Sequence, residues 1–140
     1  MYTPTILIVD ETRTNVDLLE RLLSVEGFHT LTAGDGPTAR ALSRAQRPDL
    51  ILLDVMMPGE SGFETCALLK ADPSTVDIPV IFLSALDSSE DRIRGLNAGG
   101  VDYISKPVHR AEVLVRVRIH LRLREANRLV VQEHRHGSSN

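Results

Sequence analysis

Residues 48–62 read PDLILLDVMMPGESG, and the expected fold follows from this stretch. Within it, residues 50–53 form an unbroken apolar run that ends in a single carboxylate, Asp54. A proline and two glycines follow closely. A short apolar run closed by such residues is typical of a β-strand buried on both faces. A carboxylate at the end of such a strand lies where open α/β sheets bind ligands, although an aspartate that starts a turn fits equally well.

The same pattern continues on both sides of this stretch. Runs that resemble strands occupy residues 5–9, 28–33, 49–53, 78–83 and 101–104. Segments with helical character follow each of them, over residues 12–26, 36–46, 61–71 and 88–98 and from Arg110 onward. Regular alternation of strands and helices predicts a parallel sheet with right-handed crossovers and helices on both faces. We therefore expect an α/β domain with a doubly wound, five-stranded parallel sheet and five helices, the last one extended.

Residues 115–124 read VRVRIHLRLR, a strict alternation that by its period alone favours a strand. We predict a helix because Leu114, Val117 and Leu121 form one stripe at helical spacing. A second stripe lies on another face at steps of four and three, and consists of Val115, Ile119, Leu123, Ala126 and Val130. One stripe can pack on the sheet while the other is offered to a partner.

Composition limits the classes of protein. The 140 residues suffice for one domain, and the net charge of −3 does not favour nucleic acid or an acidic membrane as a partner. The single cysteine, Cys66, excludes an internal disulfide bond and fits a reducing compartment. Neither a secretory signal nor a run of roughly 20 apolar residues is evident. We therefore expect a cytoplasmic location.

Polar residues follow four of the predicted strands, and they are Asp10, Glu11, Asp54, Ser84 and Lys106. Because the carboxyl ends of parallel strands share one edge of a sheet, we expect these side chains to lie together. Two unit charges about 4 Å apart repel by roughly 4 kcal/mol at an effective dielectric constant near 20. Three clustered carboxylates therefore need a raised pKa or a cation, and oxygen ligands of this kind suit Mg²⁺.

These groups together can make and break an acyl phosphate on Asp54. The carboxylate would be the nucleophile, and the metal, the lysine and the hydroxyl would hold the phosphoryl oxygens. Each residue also has a structural alternative. Asp10 and Glu11 can cap a helix, whereas Ser84 and Lys106 can be ordinary turn or loop residues. The functional prediction depends on the combination.

Four segments resemble the receiver domains of two-component response regulators: LIVDE (7–11), LILLDVMMPGESG (50–62), IFLSA (81–85) and GGVDYISKP (99–107). The resemblance implies a flavodoxin-like sheet with strand order 2-1-3-4-5. It also implies a phosphorylation-dependent signalling module, in which Asp54 accepts phosphate from a sensor histidine kinase. Such a module is not an enzyme beyond its own phosphotransfer and a slow self-dephosphorylation.

The resemblance also assigns roles at the site. The Mg²⁺ (or Mn²⁺) ligands would be Asp10, Glu11, Asp54 and the backbone carbonyl of Met56. The phosphate-binding and catalytic residues would be Lys106, Ser84 and Ala85. Ser84 and Tyr103 would form the switch, and the Lys106–Pro107 peptide bond would be cis. Glu11 departs from the usual second aspartate of the acidic pair, which could weaken metal binding.

We assign residues 1–123 to the receiver domain and residues 124–140 to a helical extension toward an output domain outside this chain. Residues 137–140 are expected to be disordered. We expect a homodimer through the face built by residues 88–98, residues 101–104 and the last helix. The arginines of that helix are interpreted as long side chains beside an apolar seam rather than as a nucleic-acid stripe, so no direct binding of nucleic acid or membrane is expected.

Two alternative functions remain open. One is an Mg²⁺-dependent phosphohydrolase with an aspartate nucleophile, but such enzymes usually carry a second aspartate where this chain has Met56. The other is a receiver-like scaffold that dimerises without being phosphorylated, which the Glu11 departure leaves open.

Overall fold

The computed structural model describes residues 2–138, with side chains described through residue 130. The strands are β1 (Thr5–Val9), β2 (His29–Ala33), β3 (Leu50–Asp54), β4 (Val80–Ser84) and β5 (Asp102–Ser105). The helices are α1 (Arg13–Val25), α2 (Gly36–Gln46), α3 (Gly62–Ala71), α4 (Ser89–Asn97) and α5 (Arg110–Ser138). The predicted alternation of five strands and five helices is confirmed.

The sheet is parallel throughout and has the order β2-β1-β3-β4-β5, as the resemblance implied. Its register aligns the carboxyl ends of the strands, because Val9 pairs with Leu53 and Ser84 pairs with Ser105. The residues that follow β1, β3 and β5 therefore emerge at one edge, which we call the carboxyl edge.

Both faces of the sheet are covered by helices. Within β1, Leu7 and Val9 belong to one apolar core, while Ile6 and Ile8 belong to the other. The first core contains buried residues of α2 and α3, and the second contains buried residues of α1 and α5. Successive side chains of a strand point to opposite faces, so a strand buried on both sides needs the continuous apolar run that the sequence shows.

The segment after β3 is closed tightly. The Gly62 N–H donates to the Val55 carbonyl over 2.8 Å, and Ser61 with Glu64 forms a capping box that starts α3. A Cβ atom at Gly62 would clash with the backbone of Asp54 and Val55. This glycine is required because the chain passes directly against the end of β3.

The alternating tail is helical, as predicted, and α5 spans 29 residues. Val117 is buried and Leu121 is partly buried against the second core, whereas Val115, Ile119 and Leu123 are exposed. The structure describes α5 as far as Ser138, and the expected disorder of residues 137–140 stays a prediction. The other residues of the predicted disordered end, 139 and 140, lie outside the described residues.

Candidate functional site

Three charged residues from three strand ends meet at the carboxyl edge. Lys106, which follows β5, places its Nζ atom 2.8 Å from Oδ2 of Asp10 and 3.3 Å from Oδ1 of Asp54. Both carboxylates are buried, and the lysine side chain is only 21% exposed. The structure therefore brings together Asp10, Asp54 and Lys106, although the first and last are separated by 96 positions in the chain.

Asp10 also holds the start of α1. Its Oδ1 atom accepts from the Thr12 N–H over 2.9 Å, and its Oδ2 atom accepts from the Asn15 side-chain amide over 3.3 Å. Asp10 is not the N-cap of α1, which is Thr12, but it fixes the turn that leads into the helix. Asn15 was not predicted, because its only signal was a polar residue in the first turn of a helix that follows an acidic strand end.

Asp54 lies in an electrostatically unfavourable position. Burial raises the pKa of its carboxyl group, and the negative charge of Asp10 raises that pKa further. The positive charge of Lys106 and the Met56 N–H, 3.3 Å from Oδ1, oppose this increase without cancelling it. One ammonium group therefore compensates only part of the charge of two buried carboxylates.

Lys106 remains a cation in this environment. Burial lowers the pKa of its ammonium group, but the hydrogen bond to Asp10 and the charges of both carboxylates outweigh burial and raise that pKa overall. The peptide bond between Lys106 and Pro107 is cis. A protonated lysine between two carboxylates is suited to hold an anionic group that arrives at Asp54.

Glu11 differs from the other two carboxylates in its exposure. It is exposed and lines an open cavity of about 440 Å³ together with Met56, Leu86 and Arg94. Among the residues whose side chains are described, no three histidine, cysteine, aspartate or glutamate side chains converge as they would around a metal ion. The contact of Asp10 and Asp54 with Lys106 is thus observed, while the part of Glu11 in the carboxylate cluster stays a prediction.

The remaining donors nevertheless fit a hard divalent cation. Asp10 and Asp54 supply carboxylate oxygens, and their combined charge exceeds that of Lys106, so a cation would relieve the repulsion that raises the pKa of Asp54. Mg²⁺ prefers oxygen ligands, keeps several waters and is often held by only one or two carboxylates. The site therefore suits Mg²⁺, and the role of Glu11 as a further ligand stays a prediction.

Ser84 and Tyr103 are connected through the segment after β4. Ser84 is fully buried, and its hydroxyl accepts from the Leu86 N–H over 3.0 Å. The buried Tyr103 donates its hydroxyl to the Leu86 carbonyl. The Arg92 guanidinium lies 5.3 Å from the centre of the Tyr103 ring, and the intervening Ala85 is exposed. The two predicted switch residues therefore share one attachment point, Leu86.

Several basic side chains in the described part of α5 have acidic partners within the chain. Arg116 and His120 both contact Asp102, each over 2.9 Å. Arg124 lies 3.3 Å from Asp49, and Arg118 contacts Glu26 over 3.5 Å. These ion pairs connect α5 to the rest of the domain.

Among the described residues, no helix is both long enough and apolar enough to cross a membrane.

Known proteins are similar to this chain in sequence and in fold. The model of the response regulator receiver domain matches residues 6–118. The response regulator PleD of Caulobacter vibrioides is 50% identical over 113 residues, which cover 81% of this chain and 25% of that protein. The DNA-binding dual master transcriptional regulator RpaA of Synechocystis is 42% identical over 119 residues, which cover 85% of this chain and 49% of that protein.

A solved structure of a receiver domain is similar to this chain in fold. The receiver domain of the Francisella response regulator 1452 superposes with a TM-score of 0.80 at 33% sequence identity, covering 86% of this chain and 98% of that one. The chain spans between 25% and 49% of the length of the two curated relatives described above.

Proposed function

The chain belongs to the response regulator receiver domain family, and on this basis we propose that it is a phosphorylation-dependent signalling module that accepts a phosphoryl group on Asp54. The observation that carries the proposal is the contact of Lys106 with both Asp10 and Asp54 at one edge of the sheet. A sensor histidine kinase in the cytoplasm is the proposed donor. An output domain beyond α5 is the proposed recipient of the signal.

The transfer uses the ionised carboxylate of Asp54 as its nucleophile. A carboxylate oxygen forms a bond to phosphorus while the bond between phosphorus and the imidazole nitrogen of the donor phosphohistidine breaks. The electron pair of that bond returns to the imidazole, which takes up a proton from solvent. Lys106 stays protonated and stabilises the charge on the transferred oxygens.

Asp10, Glu11 and Asp54, with the backbone carbonyl of Met56, would hold Mg²⁺ or Mn²⁺. When bound, the ion neutralises negative charge on the phosphoryl oxygens. The role of Asp10 without the ion is to orient Lys106, through the 2.8 Å contact, toward the oxygen of Asp54. Ser84 and Ala85 lie at the end of β4 and after it, where they can donate to a phosphoryl oxygen.

A phosphodonor assay tests the proposal. The chain is incubated with acetyl phosphate and Mg²⁺, and incorporated phosphate is measured by intact-protein mass spectrometry before and after treatment with alkali. We expect one alkali-labile phosphate in the wild type and none in Asp54→Asn. Turnover of many phosphate esters would instead support a phosphohydrolase, and a complete lack of incorporation would support an unphosphorylated scaffold.

The lifetime of the phosphate depends on the residues at the mouth of the site. Met56 and Leu86 are both exposed and apolar, so neither orients an attacking water. Self-dephosphorylation is therefore expected to be slow. Met56→Asn should shorten the half-life of the phosphorylated form, measured as loss of phosphate after the donor is removed; a longer half-life would contradict the proposal.

The proposed switch involves the face formed by α4, β5 and α5, which we call the switch face. Ile93, Leu96, Val101, Val115 and Ile119 are large exposed apolar residues of this face. A phosphate on Asp54 adds nearly two negative charges beside Ser84, and a shift of Ser84 would move Leu86 and so Tyr103. We propose that this change promotes a homodimer through the switch face and α5.

Sedimentation velocity of the free and phosphorylated forms tests the dimer. Association should increase on phosphorylation and should be lost in Ile119→Glu. Leu68→Glu is the matched control, because Leu68 is similarly exposed but lies on α3, away from the switch face. Equal loss in both variants, or no association in either form of the wild type, would exclude this interface.

A further inference from the structure

A second polar cavity lies away from the carboxyl edge. Its volume is about 910 Å³, and we call it the basal groove. Pro79 and Val101, which precede β4 and β5, form one part of its wall, and α5 forms another. The groove therefore lies at the amino ends of these strands, and none of its lining residues belongs to the Asp54 site.

Three cationic side chains line the basal groove. They are Lys70 from α3 and Arg124 and Arg128 from α5, with His120 beside them. Among the described side chains, its one acidic lining residue is Asp77, which is 65% exposed and lies 3.7 Å from Arg124. The carboxylates of Asp49 and Glu125 pair with Arg124 and Arg128 but do not line the groove.

Two of these cations retain unused donors. The Lys70 ammonium donates to the carbonyls of Val76 and Ile78, which uses two of its three N–H groups. Arg124 contacts Asp49 and Asp77 through its terminal nitrogens, while its Nε atom is buried and meets no acceptor among the described residues. A buried donor without an acceptor is costly, and such groups in native proteins call for an explanation.

The cations also repel one another. Burial lowers the pKa of Lys70, and the positive charge of Arg124 adds to this decrease. Burial likewise lowers the pKa of Arg124, and the positive charge of Arg128 contributes. An anion bound between these groups would accept from the third N–H of Lys70 and remove part of the repulsion. The buried Nε atom of Arg124 would not contact it directly.

We propose that the basal groove binds a multiply charged, phosphate-bearing anion. Guanidinium and ammonium groups are the side chains that recognise phosphate oxygens through charge-assisted hydrogen bonds. The volume lies within the range of small-molecule sites, and Pro79, Val101 and Leu123 offer an apolar wall to an uncharged part of the ligand. The site is independent of phosphorylation at Asp54.

Such a ligand would connect parts of the domain that phosphorylation does not reach directly. Lys70 belongs to α3, Val101 precedes β5, and Arg128 lies on the part of α5 beyond the matched family region. Binding would hold this part of α5 against the amino ends of β4 and β5. The ligand would therefore restrain the direction in which α5 leaves the domain.

Titration of the full chain tests the site. Inorganic pyrophosphate and adenosine diphosphate are added separately in the presence of a chelator, and backbone amide shifts are followed by NMR. We expect saturable binding of both probes with the largest shifts at Gly99, Val101 and Asn127. Tighter binding of adenosine diphosphate would assign the apolar wall to the nucleoside, and equal binding would assign recognition to the diphosphate alone.

Matched variants separate a site from diffuse attraction. Arg128→Gln should weaken binding about tenfold, the scale of one charge-assisted hydrogen bond. Arg118→Gln removes the same charge from the same helix, but Arg118 pairs with Glu26 outside the groove, so binding should be unchanged. Lys106→Met should also leave binding unchanged, which distinguishes the groove from the Asp54 site.

Three results would overturn the proposal. The first is a lack of saturation at probe concentrations up to about 10 mM, which is far weaker binding than at ordinary metabolite sites. The second is equal weakening of binding by Arg118→Gln and Arg128→Gln, and the third is loss of binding in Lys106→Met. Because Arg128 is 45% exposed, its substitution is expected to leave the fold intact, and thermal unfolding of the variant verifies this.

Discussion

Buried carboxylates at the two ends of the sheet differ in the donors and cations that surround them. At the carboxyl edge, Asp10 and Asp54 share one lysine, and the pKa of Asp54 is raised. At the opposite end, Asp49 accepts hydrogen bonds from the Tyr2 hydroxyl and the Thr5 N–H and faces the guanidinium of Arg124. Asp10 and Asp54 thus have too little positive charge around them, whereas Asp49 has several hydrogen-bond donors and a guanidinium group.

Asp102 resembles Asp49 rather than Asp54. Its carboxylate contacts Arg116, His120 and the Tyr103 N–H, and these donors outweigh burial and lower its pKa. The comparison teaches that a buried acid with enough donors holds elements together, whereas an acid left short of them is available for chemistry. The distinction depends on the partners and not on the burial of the acid.

The largest effect on stability is expected at Asp49. Asp49→Ala should lower the free energy of unfolding by about 3 kcal/mol, because it leaves the buried guanidinium of Arg124 without its closest carboxylate. Phosphorylation of Asp54 should continue. Urea unfolding measures the loss, with the exposed Asp77→Ala as a control that should change stability by less than about 0.5 kcal/mol.

At the carboxyl edge, removal of a charged partner should affect the rate of phosphorylation rather than stability. Lys106→Met should slow phosphorylation by acetyl phosphate about 100-fold, equivalent to about 2.7 kcal/mol, because it removes the cation that stabilises the transferred oxygens. Arg116→Met removes a cation that pairs with Asp102 and Glu112, away from Asp54, and should leave the rate nearly unchanged. Similar rates for both variants would contradict the division between the two regions.

Asp102 should behave as a structural acid with a defined pH dependence. Its lowered pKa in the folded state means that its contribution is complete above the ordinary carboxyl pKa and disappears as the pH falls through the lowered value. Asp102→Asn should therefore cost roughly 1.5 kcal/mol at neutral pH and progressively less in acid. Urea unfolding at a series of pH values measures this, and a loss that is constant with pH would contradict it.

Replacement of Asp54 should change the free energy of unfolding in the opposite direction to replacement of Asp102. Because its pKa is raised in the folded state, the ionised form is less favourable there than in the unfolded chain. Asp54→Asn should therefore stabilise the metal-free protein by about 1 kcal/mol at neutral pH, and this gain should vanish below the ordinary carboxyl pKa, where both states are protonated. Destabilisation at neutral pH would show that Lys106 compensates the charge fully.

Most element types could be predicted because their patterns are local. Residues 115–124 alternate between apolar and polar, which by itself favours a strand. The helix could still be predicted, because two apolar stripes run through this segment at helical spacing. Boundaries were less accurate where apolar residues precede a strand. Ile78 is buried and Pro79 is apolar, yet β4 begins only at Val80, where pairing with Ile51 begins.

The site was predicted in part. Asp10, Asp54 and Lys106 could be placed together because each follows a strand of a parallel sheet, and all such ends share one edge. Glu11 remains a predicted ligand. Neighbouring side chains point in different directions where the chain leaves a strand, so position at a strand end does not by itself place the second of two adjacent acids.

The order of residues along the chain determined the alternation of strands and helices, the apolar faces and the polar residues at each strand end, because these depend on spacing alone. Only the tertiary structure decided which charges meet. Arg124 with Asp49 and Lys106 with Asp10 join positions 75 and 96 residues apart. Such contacts, and the resulting shifts in pKa, depend on distance and burial in the folded chain, and spacing along the sequence specifies neither.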